Sequence, residues 1–222
     1  MKAVVLLSGG LDSATCAYHA KEEGDDLVAL TVDYGQRHDK EIACAWDIAK
    51  RLGIQHKVLW MPLGAIGGSS LTDLLIPVGH DGVDKMQVPW TYVPARNTIL
   101  LALAAGLAEV VGAGRIWIGV NAVDYSNYPD CRPEFIGAMK TALRFGTKAG
   151  LEGKPIGIEA PLIHMSKAEI ITHGLALGVP YGETWSCYEG GEEPCHTCDS
   201  CRLREAAFHS LNLEDPINVR DT

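Results

Sequence analysis

Short apolar runs alternate with amphipathic stretches along most of the chain. KAVVLL (residues 2–7) is continuous enough for a buried strand, and SATCAYHAKEEG (13–24) reads as a helix closed by Gly24. LVALTVDYG (27–35) is a second strand. DKEIACAWDIAKRLG (39–53) has helical spacing that predicts one face of Ile42, Trp46, Ala49 and Leu52, with Gly53 as its cap. QHKVLW (55–60) is a third strand. Residues 95–111 are apolar nearly all round, which predicts a helix deep in the core. RIWIGV (115–120) is a fourth strand, 132–145 a helix, IGIEAP (156–161) the last strand and SKAEIITHGLALG (166–178) a helix. Strands rich in Val, Ile and Leu that alternate with helices predict an α/β fold, a Rossmann-like parallel sheet with helices on both faces.

Two stretches break the alternation. Residues 61–91, rich in Gly, Pro and Asp, are too long for an ordinary connection and are expected to form a lid or a partly disordered loop. From Gly182 onward a cysteine cluster and a short helix (199–211) look like an appendage, so the expected division is a 1–181 catalytic domain and a 182–222 zinc-binding segment. No internal repeat or low-complexity tract is visible.

Composition narrows the setting. At 222 residues and 47% hydrophobic, the chain suits one large domain with a sizeable core. Its longest apolar run, TILLALAAGLA, is short of the ~20 residues of a membrane span. The N-terminal apolar run ends in a Ser-Gly-Gly turn rather than a cleavage site, so the expected location is cytoplasmic, with no membrane partner. Twenty-eight acidic residues against nineteen basic ones, a formal charge of −9, argue against a broad nucleic-acid surface. In a reducing compartment the seven cysteines read as metal ligands and small core residues rather than a disulfide framework.

The stretch LLSGGLDSAT falls between the first strand and the first helix, at the carboxyl end of a strand, where open α/β sheets bind ligands. Gly9 and Gly10 let the backbone turn sharply. The N–H groups around Leu11, together with the hydroxyls of Ser8 and Ser13, suit phosphate oxygens, and Asp12 suits a magnesium ion bridging the phosphates. The plain alternative is a tight turn in which Asp12 or Ser13 only caps the helix. Neither GxxxxGK[ST] nor GxGxxG follows the first strand, so this is a different phosphate cradle.

SGGLDS matches the pyrophosphate loop of the ATP pyrophosphatase superfamily. VDYGQRH, YVPARNT, GVNAVDYSNYPDCRPEF, APLIHMSKAEII, and TWSCY with the cysteine cluster are similar, in order along nearly the whole chain, to the 7-cyano-7-deazaguanine synthase family. The resemblance implies an ATP-dependent ligase of queuosine precursor biosynthesis that turns 7-carboxy-7-deazaguanine, ammonia and ATP into a nitrile. It also implies a homodimer. Most members carry glycine where Asn127 stands. The chain has no room for a fused glutaminase and Lys2 excludes an N-terminal cysteine amidotransferase, so free ammonia or a separate partner is expected to supply the nitrogen.

The chemistry-bearing residues can be weighed one by one. Lys167, in a helix's first turn, faces an unfavourable dipole end that a bound phosphate would offset; an exposed lysine is the alternative. YPDCRPEF stiffens Asp130 and Arg132 between prolines. Arg132 suits a substrate carboxylate, and Asp130 or Asp124 suits a guanine-like amino edge, although a Pro-Asp turn with a surface arginine fits equally. Arg96 and Asn97 open a helix and suit an anion or a base edge, or merely cap it. Asp33 and Tyr34 sit where an adenosine can lie, though Asp33 can equally begin a turn. Cys16, Cys44 and Cys131 read as buried hydrophobes, and His56 and His173 as structural histidines. Cys187, Cys195, Cys198 and Cys201 have the spacing of a closed tetrahedral zinc site. Glu205 stands where a bacterial ferredoxin pattern needs its fourth cysteine, which demotes an iron–sulfur cluster. A tRNA-thiolating enzyme and a zinc-ribbon binding module are the competing readings; the acidic balance disfavours the first and the acidic YEGGEEP turn the second.

Overall fold

A computed structural model describes residues 1–80, 87–123 and 127–218. Five parallel strands form one sheet: β1 (Lys2–Leu6), β2 (Asp26–Asp33), β3 (Gln55–Trp60), β4 (Arg115–Trp117) and β5 (Gly157–Glu159). Their order is β3-β2-β1-β4-β5, so the chain moves outward in one direction and then reverses between β1 and β4. That reversal is a topological switch point, and it opens a crevice beyond the carboxyl ends of those two strands.

Side chains alternate across the sheet and build two cores. Val4, Leu6, Leu30, Ile116 and Ile158 point to one face, against α3 (Arg96–Val111) and α4 (Pro133–Gly146), which the short α5 (Lys148–Leu151) follows. Ala3, Val5, Leu7, Ala29 and Trp117 point to the other, against α1 (Leu11–Glu22), α2 (Lys40–Leu52), α6 (Lys167–Ala176) and α7 (Asp199–Ser210). The expected Rossmann-like α/β architecture is thus the observed one.

Two helices differ from expectation in which face they bury. In α2 the buried positions are Ala45, Ile48 and Ala49, while Trp46 is 53% exposed. Its ring lies on His56, centroids 4.5 Å apart, and so shields the open edge strand β3 rather than filling the core. α3 is not enclosed. Leu101, Ala104, Ala105 and Ala108 are buried, but Ala102, Gly106 and Val110 face outward because the sheet covers only one side of the helix.

The first part of the 61–91 stretch is packed. Ser69, Ser70, Leu71 and Val78 are buried, and Arg37 holds this segment by donating to the carbonyls of Asp73 (3.2 Å) and Ile76 (3.1 Å). The expectation of a lid or disordered loop falls partly on residues 81–86, outside the described residues.

The C-terminal segment is clipped onto the sheet domain. Buried Arg204 pairs with Asp215 (2.6 and 2.9 Å) and donates to the Tyr181 carbonyl (2.7 Å) and Thr184 Oγ1 (2.8 Å). Tyr181 in turn reaches Thr15 Oγ1 on α1 (2.8 Å) and the Ile170 carbonyl on α6 (3.0 Å). Gly174 leaves the slot for that phenol, since a Cβ there would lie 1.9 Å from its oxygen.

At the amino end of the sheet, buried Asp25 accepts from Arg115 (2.6 and 2.7 Å), Trp117 Nε1 (2.8 Å) and the N-terminal ammonium (3.0 Å). Burial alone would raise its pKa, but these donors outweigh it and hold the carboxyl at about 2 against an ordinary 3.8. The sign follows: Asp25 stabilises the fold above the unfolded-state value, and the gain is lost as pH falls from about 4 to 2. Asp25→Asn is therefore expected to cost about 2 kcal/mol at neutral pH and to flatten the acid limb of a denaturation-midpoint-versus-pH curve.

Candidate active site

The crevice at the switch point is a cleft of about 230 Å³. One wall is the turn from β1 into α1. Gly9 has φ +92°, and a Cβ there would lie 2.0 Å from the Glu41 carbonyl oxygen, so the turn can close against α2 only as glycine. Ser13 Oγ accepts from the N–H groups of Ser8 (3.1 Å) and Gly9 (3.2 Å), and Ser8 Oγ accepts from Gly10 N–H (3.2 Å). The two serines therefore brace the loop from inside. No side chain caps α1 at Gly10, which leaves its first-turn N–H groups facing the cleft for an anion. Across from the loop, Gly119 follows β4, and a Cβ there would lie 2.7 Å from the Asp12 carbonyl oxygen.

Asp12 and Lys167 meet at the centre. Lys167 Nζ lies 2.7 Å from both carboxylate oxygens. Their helices start side by side, and Ser166 caps α6 in a complete capping box with Glu169. Sequence reading aimed Lys167 at phosphate and Asp12 at a magnesium ion and missed their mutual pairing, which itself offsets the dipole cost of a lysine at a helix start.

On the other side stand Arg96, Tyr34 and Tyr128. Ala95, at φ 56°, turns the chain into α3 immediately before Arg96. Arg96 donates to the Tyr34 hydroxyl (3.2 Å). Burial opposes its charge, and the phenols of Tyr34 and Tyr128 favour it, leaving the guanidinium more firmly protonated than usual. No carboxylate lies within ion-pair distance of it among the described residues.

Other expected residues fall elsewhere. Asn97 lines the cleft, but its N–H is capped by Asp130 Oδ2 (3.0 Å) and its Nδ2 donates to the Asp130 carbonyl (3.0 Å). Buried Asp130 thus acts first as the cap of α3. Asp33 makes a turn, accepting from Gly35 N–H at 3.1 Å, and is not part of the cleft wall. Arg132 is exposed at the start of α4, outside the wall. Asp124 lies outside the described residues. Asn127 donates to the Gln87 carbonyl (3.0 Å), tying this loop to the 61–91 stretch.

The cleft also contains residues that the sequence reading passed over. His38 and Glu41, in and just beyond the VDYGQRH stretch, pair at 3.2 Å and are both largely buried; their i,i+3 spacing after β2 was the available signal. Trp185, Ser186, Tyr188 and Arg204 bring the C-terminal segment into the wall. Trp185 N–H donates to the Gly9 carbonyl (3.0 Å), a direct strut between that segment and the glycine loop.

Behind this wall the ligand atoms of Cys187, Cys195, Cys198 and Cys201 lie within 4.8 Å of one another. Four sulfurs on a tetrahedral ion at about 2.3 Å are about 3.8 Å apart; Cys195 and Cys201 stand at 4.0 Å. The backbone N–H groups of Cys195 and Cys198 point at the sulfurs of Cys187 (3.4 Å) and Cys195 (3.3 Å), the usual outer support of a thiolate site. Hydrogen bonds from Cys198 and Cys201 lower the Cys187 pKa, so it loses its proton first. The donor set fits a closed metal site. His196 is engaged with Glu205 at 2.5 Å. Burial favours the protonated form of the remaining thiols: it raises Cys16, pushes Cys44 to about 11 and Cys131 to about 12.

Fold and site together define a doubly wound α/β protein with a glycine loop and an uncapped helix start at its switch point and a cluster of four cysteines behind it. Its fold is similar to that of an NMN synthetase from Francisella tularensis (TM-score 0.52, 17% identity, 96% of this chain and 77% of that one). It is also similar to a predicted subunit of tRNA methyltransferase from Methanocaldococcus jannaschii (0.50, 20%, 79% and 76%). Residues 2–212 match the model of the family described as Queuosine biosynthesis protein QueC, and the chain belongs to that family. A relative named 7-cyano-7-deazaguanine synthase from Trichodesmium erythraeum is 54% identical over 98% of this chain and 100% of its own length. One of the same name from Aromatoleum aromaticum is 52% identical over 99% and 98%.

Proposed function

We propose that the chain is a 7-cyano-7-deazaguanine synthase of queuosine biosynthesis, joining 7-carboxy-7-deazaguanine and free ammonia at the expense of ATP. The carrying observation is one cleft that holds, on facing walls, an uncapped glycine-loop helix start and Arg96, a cation with no carboxylate at ion-pair distance among the described residues. The first suits the polyphosphate, the second the substrate carboxylate. Arg132, at the start of α4, is left to flank the cleft, and Asn97 and Asp130 to shape the base edge; Asp124 keeps its assignment to the amino edge of the base.

A carboxylate cannot expel oxide. Its oxygen attacks the α-phosphorus of ATP, pyrophosphate leaves, and ammonia displaces AMP from the acyl adenylate to give the amide with loss of a proton. Activation of the amide oxygen by a second ATP, followed by loss of the remaining N–H protons and AMP, gives the nitrile. The uncapped first-turn N–H groups of Leu11, Asp12 and Ser13 hold the leaving pyrophosphate, while Ser8, Gly9 and Gly10, braced by the two serine hydroxyls, shape the cradle around it. Lys167 turns from Asp12 to the phosphates, where its charge opposes the charge that builds on them. Asp12, released, is the residue that would hold Mg2+, which supplies further charge neutralisation when bound. Tyr34 borders the adenosine, and Asp33, outside the wall, shapes the turn that presents it. Cys187, Cys195, Cys198 and Cys201 would hold Zn2+, which would fix this segment in place rather than take part in the reaction. The protein works as a homodimer in the cytoplasm, and among the described residues no helix is long and apolar enough to cross a membrane.

The test is incubation with ATP, Mg2+, ammonium and the deazapurine acid. Pyrophosphate release that requires the acid, with the amide and then the nitrile appearing by mass spectrometry, is the expected result. Release with tRNA alone, and none with the acid, would sink the reading.

A further inference from the structure

The two helices that meet at the cleft also meet at their far ends. α1 and α6 both leave the cleft N-terminus first, joined there by Asp12 and Lys167. The last turn of each carries a histidine, His19 and His173. Nδ1 of His19 faces Nε2 of His173 at 3.1 Å. The rings are tilted by 57°, with centroids 5.2 Å apart, so they approach through their nitrogens rather than by stacking. Trp117 on β4 backs His19 edge-on at 5.6 Å, and its own indole nitrogen is fixed to Asp25. Both histidines are half-buried, held by packing yet open to solvent, and neither lines the cleft.

We infer that His19 and His173 form a second metal site, a two-imidazole clamp across α1 and α6 for a borderline divalent cation such as Ni2+ or Zn2+. Two imidazole nitrogens on one such ion, at about 2.0–2.1 Å each, lie about 3.0–3.4 Å apart, and the observed spacing falls in that range. Imidazole suits these ions, whereas Mg2+ prefers oxygen, so the clamp and the phosphate site select different metals. With no ion between them, one ring donates its N–H to the lone pair of the other. Metal binding moves that proton to the donor ring's second nitrogen, both lone pairs then face the ion, and water fills its remaining positions. A neutral pair therefore takes up metal without net proton release, and a singly protonated pair gives up one proton.

The surroundings favour the neutral pair. Burial, and then the charge His173 would carry, lower the His19 pKa, with Glu23 on the same helix acting the other way. Arg115 on β4 and Asp25, just before β2, face the pair from behind Trp117, and they are paired with one another. The formal charge of −9 draws cations to the surface at large.

The test is calorimetric titration of NiCl2 into protein whose cysteine centre is already filled with zinc, at about pH 7.5, for wild type, His19→Gln, His173→Gln and the control His209→Gln. Wild type and the control are expected to bind one more equivalent than either clamp variant. That equivalent should disappear near about pH 5.5, where imidazoles protonate. On the unmutated protein, paramagnetic Ni2+ should broaden the imidazole resonances of His19 and His173 together before those of other histidines. Equal stoichiometry in wild type and clamp variants, or broadening that spares this pair, would overturn the proposal.

Discussion

Lys167→Met is expected to reduce acid-dependent pyrophosphate release by about 10²–10³-fold, the usual cost of losing one preorganised charge-stabilising group. The residue is only 9% exposed, and its ammonium is aimed at the centre of the cleft by a complete capping box. Methionine keeps the packing of the aliphatic stem while removing the charge. The substitution also leaves Asp12 without a cation it touches through both oxygens at 2.7 Å. Breaking a buried pair from one side destabilises by about 3–5 kcal/mol; Asp12 keeps 27% side-chain exposure here, so the lower part of that range is expected. Denaturant melts of the variant separate this loss from the catalytic one. Lys167→Arg supplies the contrast. It restores a cation beside Asp12 and so should recover stability, but its planar fork cannot replace a compact ammonium in a cradle of this size, and turnover should stay low. If the methionine variant turned over at the wild-type rate while folded, the role given to Lys167 would be wrong.

How far this site was legible in the sequence depends on what kind of signal each residue leaves. The strands announced themselves as apolar runs between glycines, and a parallel sheet covered on both faces followed from their alternation with helices, so the loop after β1 was in reach, whereas the strand order and its switch point emerged only in the structure. The face of α2 was not. Ala45 is small and shows little in a hydrophobic pattern, whereas Trp46 is large and dominates it, yet its work is to cover His56 on an edge strand. For α3, an apolar surround could not tell a helix buried on every side from one lying on a sheet with its outer face open. Pairings between distant residues were also out of reach. Lys167 and Asp12 are 155 positions apart, and the one looked as if it waited for phosphate, the other for a magnesium ion. Arg204 carried no motif at all, although it holds Asp215, Thr184 and Tyr181 together and borders the cleft. By contrast the four cysteines were fully readable, because metal geometry restricts spacing more tightly than packing does.

Cys198→Ser is expected to have the second large effect, and it should reach the glycine loop without touching it. Cys198 is fully buried in a cluster with Trp185, Cys187, Cys201 and Val78. Removing one of four thiolates should abolish stoichiometric zinc, and structural zinc contributes about 10–16 kcal/mol in small peptides, comparable to a whole domain's stability. The two sheet cores do not contain these residues and are large, so the loss should be local. Between Thr184 and Cys201 the chain should open, releasing Trp185 from the Gly9 carbonyl and Glu189 from Arg37 (3.3 Å). Since Trp185, Ser186 and Tyr188 form part of the cleft wall, ATP affinity and turnover should both collapse while far-ultraviolet circular dichroism changes little. Limited proteolysis should show new cuts in this segment, and metal analysis should fall from one zinc per chain to none. Cys44→Ser is the control: it packs beside the cluster but is not one of its four ligands, so zinc content and activity should persist. A Cys198→Ser protein that retained a full equivalent of zinc and wild-type turnover would show that the staple does not hold the wall of the active site.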